Sequence, residues 1–513
     1  MFSESLDALL NVSVDPVTAG WQLRDLSRKA AGHGQELLDQ LAKNQDRVLQ
    51  TDPAVVGTLL RILHASLLAD GWAPIDEVSL ATLNELEQHL PKNASNRFLL
   101  QQLYAIQGTD ASLQCLTNSL STNPPQKWVE AAQVLSPLMQ RVGWNVESFF
   151  PAALGLLQHA SLASPTLDLA NYLMRDERVE QHPAADQVEM LRNLLGEVVG
   201  RLGRFEDDPR SFGTEVEVVQ ARLAEAVALA VSLSDAVALI GDLSSIGKLH
   251  QAMELRHRRV QCEAAGALAH LGDHQGKERL IELLDEPAAR LRAIHYADEL
   301  GFGEELDSKY RSDDATSEAE LALWLSQPQQ MGVPPTNVEI FDKRRCLWPS
   351  YEHPVDVSLV RFEYNFGARS YSNVGITGPC TFAISADVSD LPTEDIYSIY
   401  AGWHVEHDDI FSVSPTEWND TQRRSVDQWK QHLDRSGYEE IKPLLFCVFL
   451  DEKAAVYSGN RDEVACFVIT DGLETIEQIV DGKDRPFGAE DLFNLYKGRK
   501  MLRTFNPDRD LAT

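Results

Sequence analysis

The residues best suited to chemistry lie in Trp403-His404-Val405-Glu406-His407-Asp408-Asp409. Imidazole and carboxylate both ligate a zinc-type ion, and two histidines three positions apart can share one helix face. A metal centre needs further ligands from elsewhere in the chain, and no distant His-rich motif offers them. His404 and His407 are therefore weak candidates, and neither a metal nor any other cofactor is expected. Asp451-Glu452-Lys453 has the letters that end a metal-dependent nuclease strand. Such a site needs another acid upstream, where Glu439 and Glu440 are available. A charged turn between hairpin strands explains the same letters. The P-loop, G-x-G-x-x-G, H-E-x-x-H and G-x-S-x-G motifs are all missing. The remaining candidates are cationic: Arg256, Arg258 and Arg259 flank His257 in the densest basic run of an acidic chain. Guanidinium groups so clustered suit an acidic peptide or a phosphate.

The elements that must position these groups differ between the two parts of the chain. Val355, Val357 and Leu359 alternate with polar residues, and then Val360, Phe362, Tyr364 and Phe366 do so on the opposite phase. This predicts a strand with a bulge, or with both faces buried, at Leu359-Val360. Cys380, Phe382 and Ile384 predict another strand. The runs 444–450, 454–457 and 463–470 predict three more, central to a mostly antiparallel sheet. Helices are expected from a Thr393 cap through Trp403, from about Thr416 to Arg435 before Gly437, and from about Ala489. Strands and helices do not alternate strictly, which points to α+β.

Residues 1 to about 34 are weakly patterned; from Leu37, Leu38, Leu41 and Val48 the period is helical up to Leu325, as an α-solenoid or an irregular helical bundle requires. Asp52-Pro53 predicts an N-cap followed by proline at the first helical position. Leu83, Leu86 and Leu90 precede a break at Pro91, and Pro124-Pro125, Pro151 and Pro165 are read as further breaks. Roughly fourteen helices and no strand are expected here. The stretch 326–337, SQPQQMGVPPTN, has linker composition. The expected organisation is an all-α domain over 1–326, a linker over 327–337 and a smaller α+β domain over 338–513.

Residues 256–301 carry the clearest internal pattern. Val260, Ala264, Ala265, Leu268 and Leu271 follow a helical period that stops at Gly272-Asp273, and a later helix closes on Leu300-Gly301. Ala264, Ala265 and Ala267 permit close helix approach. Aligned on Gly272 and Gly301 the period is 29 residues; aligned on Val260-Gln261 and Leu291-Arg292 it is 31. Either suits a two-helix repeat. The block resembles the HEAT-like repeats described in phycobilisome lyases. That resemblance spans about two repeats and implies an α-solenoid whose faces bind proteins. In such repeats, basic residues at a helix start meet acids of the neighbouring loop, which competes with ligand binding as the role of Arg256, Arg258 and Arg259. Bilin-lyase activity is not implied, because only the structural letters match. Alkylpurine DNA glycosylases with HEAT-like repeats suggest nucleic-acid processing as an alternative.

The formal charge of −32 argues against that alternative. Such a field repels phosphate backbones and anionic membrane surfaces. No apolar run is expected to reach bilayer length, and MFSESLDALLNVSVDP does not read as a secretory signal. Six scattered cysteines without C-x-x-C fit reduced thiols in the cytoplasm. The expectation is a non-enzymatic cytoplasmic scaffold with protein partners, binding neither nucleic acid nor membrane. An enzyme, metal-dependent or not, with its site in the C-terminal domain is the second reading.

Overall fold

The computed structural model describes residues 3–10, 16–69, 77–90, 97–327, 329–367 and 369–506. It is 62% helical, with two antiparallel sheets, of three and five strands, in the C-terminal part. The chain divides into compact units Met1–Arg279 and Leu280–Thr513, the division falling inside the helix His274–Leu283. Among the described residues, eighteen α-helices precede the first strand. Pro91, an expected break, and Pro328, within the expected linker, lie outside the described residues.

In the first unit Asp52 caps the helix Pro53–Ala69, its Oδ1 accepting the Ala54 N–H at 2.8 Å. Pro151 and Pro165 do not break helices as expected; they lie within Val146–Ala153 and Ala160–Arg175. Each removes a single backbone bond. In the second helix the buried face of Leu162, Leu167, Leu169 and Leu173 outweighs that loss.

The helix Val216–Ile240 corrects a second expectation. It is 25 residues long with a mean hydropathy of 1.9, enough by length and composition to cross a bilayer. In the structure 61% of its apolar window is buried inside the protein, against the helices Ala160–Arg175, Val188–Asp207 and Arg258–His270. Alanines supply much of its apolar character, so it does not stand out as a run of large side chains.

Val260, Ala264, Ala265 and Leu268 are buried on the helix Arg258–His270. The next helix approaches this one so closely that a Cβ on Gly276 would lie 2.4 Å from the Ala269 nitrogen. The helices Arg258–His270 and Pro287–Glu299 start and end 29 residues apart. Gly272 and Gly301, each just beyond a helix end, have φ of 83° and 77°. The local pattern thus follows the shorter of the two candidate periods, with a left-handed glycine closing each helix.

Among the described residues, all the strands lie in the second unit. β1 (Asn337–Cys346), β2 (Val355–Phe366) and β3 (Arg369–Thr377) form the smaller sheet in that order. Its register shifts between the Ile340–Val360 and Asp342–Leu359 pairs, so the slip anticipated in β2 is matched by a bulge at Phe341 in its partner. Leu359 joins the core around Trp348, Ile396 and Tyr400, whereas Val360, Phe362 and Tyr364 pack with Leu321 and Leu325 of the helix Asp313–Leu325. The expected linker is tethered over its second half: Tyr364 donates to the Val333 carbonyl at 3.0 Å, and the Thr336 N–H donates to that of Glu363 at 2.7 Å. Cys380, Phe382 and Ile384 do not form a full strand; Phe382 makes an isolated bridge to Ile376.

β4 (Ile410–Val413), β5 (Tyr438–Phe449), β6 (Glu452–Arg461), β7 (Val464–Thr470) and β8 (Thr475–Ile479) follow in sequence order across the larger sheet. Cys447, Val456 and Ile469 pack with residues of the helices Thr393–His404 and Ala489–Phe505. Phe446, Tyr457 and Val468 face the opposite way, toward Val426 and Leu433 of the helix Asp420–Arg435. This two-sided burial explains the nearly continuous apolar runs in β5 and β7. Thr393 begins its helix rather than capping it; Pro392 holds the cap position.

Candidate functional site

The three candidate arginines stand at the start of the helix Arg258–His270, and they diverge. Arg256 is exposed, and its backbone N–H donates to Glu206 Oε1 at 2.6 Å. Arg258 is half-buried and donates to Gln261 Oε1 at 2.9 Å. Arg259 is exposed, with its charge acting on Asp168. Between them His257 is the N-cap residue, its Nδ1 buried without a hydrogen-bond partner. Burial, aided by the Arg259 charge, pushes that ring down to about 4.

Asp168 belongs to a polar joint between the helices Ala160–Arg175 and Val216–Ile240. Ser232 Oγ lies 2.6 Å from Asp168 Oδ1 and 2.8 Å from Ser164 Oγ. Asn171 Nδ2 donates to the Ser232 carbonyl at 3.0 Å, and Arg175 is ion-paired with Asp235. His182 completes the joint. Its Nε2 lies 2.9 Å from Asn171 Oδ1, and its Nδ1 accepts the Ala184 N–H at 3.1 Å. The neutral Nε2–H tautomer satisfies both bonds at once. Burial pushes Asp168 up to about 6, against the lowering pull of Ser232 and Arg259, and pushes His182 down to about 4.

These perturbed groups are committed to holding two apolar helices in register. The sequence did carry a signal for them. Ser164, Asp168, Asn171 and Arg175 recur at steps of four, three and four, facing Ser232 and Asp235 on the partner helix.

The histidine candidates do not converge. Trp348 Nε1 donates to His404 Nδ1 at 2.9 Å, which occupies that lone pair and leaves the proton of the neutral ring on Nε2. Burial lowers the pKa of His404. His407 is exposed, its Nδ1 accepting the Asp409 N–H at 3.1 Å. Among the described residues, no three His, Cys, Asp or Glu gather where they could hold a metal ion.

Asp451 lies in the turn between β5 and β6, and Glu452 pairs with Lys500. Lys500 also reaches Asp471 at 2.9 Å, and the Tyr496 hydroxyl donates to the same oxygen at 2.8 Å. Burial works to raise Asp471, but the Glu474 N–H, Lys500, the Leu473 N–H and Tyr496 hold it down to about 2. Glu439 and Glu440 stand at the other end of β5, about 30 Å of strand away. The acid-x-Lys letters are used in a hairpin turn and an ion-pair cluster.

Another arginine is integrated more deeply than any candidate. Arg290, buried, donates to the carbonyls of Leu284 and Ala315 at 2.8 and 2.9 Å and pairs with Glu318 at 3.1 Å. It sits 29 residues after Gln261. No protein-family model, curated protein or solved structure matches this chain.

Proposed function

We propose that the chain is a cytoplasmic, non-enzymatic scaffold whose helical part is a HEAT-like α-solenoid that binds protein partners. One observation carries the reading: two helices with the same bounds recur at 29 residues, each closed by a left-handed glycine. A repeated unit of this kind buries its apolar face against neighbours and leaves its outer faces for binding. The commitment of Asp168 and His182 to an interhelix joint supports a structural rather than catalytic use of the first unit. The net charge of −32 favours a protein partner over nucleic acid. Affinity capture from native cytosol with the full chain, followed by mass spectrometry, tests the reading. A partner recovered reproducibly and competed by untagged chain supports the scaffold; none across repeated captures removes it.

A further inference from the structure

The first unit carries a cleft of about 610 Å³ beside the helix Val188–Asp207. Leu157, Met190 and Leu194 give it apolar walls, and Asp186, Glu189 and Glu197 add three carboxylates. No Lys or Arg is among its described lining residues. Arg192, on the same helix, is bonded to both Asp242 oxygens at 2.8 and 2.9 Å, and its charge also acts at longer range on Glu189, one of the three cleft carboxylates. Met190 is 38% exposed, and its unbranched thioether chain can adapt to an irregular apolar surface. Met190, Leu194 and Glu197 recur at steps of four and three, the spacing with which one helix receives another.

We propose that this cleft binds an amphipathic helix of a partner protein, with one apolar stripe flanked by Lys or Arg. The stripe would lie on exposed Met190 and half-buried Leu194, above Leu157 at the buried floor of the cleft, and its cations would meet Asp186, Glu189 and Glu197. Charge decides the occupant. A second copy of this chain brings a charge of −32 toward three carboxylates, whereas a cationic helix is drawn in and oriented by them. The inference rests on the scaffold reading and gives it a location.

The test uses the full chain and a fluorescein-labelled peptide of about fourteen residues, with leucines at helical spacing and lysines elsewhere. Fluorescence anisotropy should show saturable binding that weakens with salt. The variant D186N/E189Q/E197Q should weaken it at least about tenfold, and M190S should weaken it while leaving the salt dependence in place. The control E406Q/D408N/D409N changes as many exposed charges and should bind as wild type. All altered cleft carboxylates are exposed, and melting midpoints check that the folds match.

Equal binding of a peptide with the same composition but scattered leucines would overturn the proposal. So would equal binding by the cleft variant, or no saturable binding by wild type. A native partner captured equally by wild type and cleft variant would keep the scaffold and remove the cleft from it. Probe binding at the cleft without any captured partner would do the reverse.

Discussion

Gly498 lies against the carbonyl of Ser398, so closely that a Cβ at position 498 would sit 1.7 Å from that oxygen. The contact is reciprocal: a Cβ on Gly402 would lie 1.9 Å from the Asn494 carbonyl. The helices Thr393–His404 and Ala489–Phe505 therefore cross backbone to backbone beneath the larger sheet. Gly498→Ala should cost about 1–3 kcal/mol, because relieving the clash separates two helices that share one core. Thermal melts of the wild type and G498A check this, and equal midpoints would show that the helices do not touch there.

Acid should destabilise the first unit through His182. Its folded pKa, about 4, lies below the ordinary 6.5, so the unfolded chain binds more protons between those values. Its contribution is therefore present above pH 6.5 and lost as pH falls toward 4, up to about 3 kcal/mol. His257 has the same sign over the same window. Asp168 has the opposite sign: raised from 3.8 to about 6, it contributes in acid and loses that contribution as pH rises through 6. His64 is lowered by burial as well, so three histidines against one carboxylate leave a net loss toward acid. Urea melts at pH 7 and 5 should show a smaller pH difference for H182Q than for wild type; equal differences would contradict the assignment.

Leu321 ties the helix Asp313–Leu325 to the smaller sheet, seated over Gly375, where an added Cβ would lie 2.7 Å from its Cδ1. The fragment 285–513 retains this helix and should unfold cooperatively. The fragment 338–513 exposes Val360, Phe362 and Tyr364, and should be less stable by several kcal/mol. Leu321→Ala in the longer fragment should cost about 2–5 kcal/mol. Circular dichroism melts of the three proteins decide it. Equal stability of the two fragments would mean that the sheet does not need the helix.

The basic run should matter to folding more than to recognition. Arg258 bonds Gln261, and the Arg259 charge acts on Asp168. The triple variant R256Q/R258Q/R259Q should lower stability by about 1 kcal/mol and leave partner recovery unchanged. A salt-sensitive partner lost by this variant at unchanged stability would make the run a binding site.

Much of the fold was legible where a periodic pattern meets a single environment. Val260, Ala264, Ala265 and Leu268 announce their helix, and the phase slip at Leu359-Val360 announces a strand that serves two cores. β4 was not legible, because four residues hold too little pattern to separate a short edge strand from a loop. β3 was missed for another reason: its first half, Arg369 to Asn373, alternates little in polarity. Pro151 and Pro165 misled because local punctuation is outweighed by burial elsewhere on the helix. Residue type marks a candidate site, yet what surrounds it decides its role. His404 reads as a ligand until Trp348, 56 positions earlier, occupies its nitrogen.

The apolar helix Val216–Ile240 also bears on the order in which the chain folds as it is made. Two of the helices that cover it, Ala160–Arg175 and Val188–Asp207, precede it, and both are available as soon as it leaves the ribosome. The third, Arg258–His270, arrives eighteen residues later. A segment of this hydropathy, presented without its cover, has the composition that membrane-insertion machinery reads. Vectorial synthesis supplies the cover in the right order. A circular permutant beginning at residue 214 would present the same segment first, with every covering helix still to come.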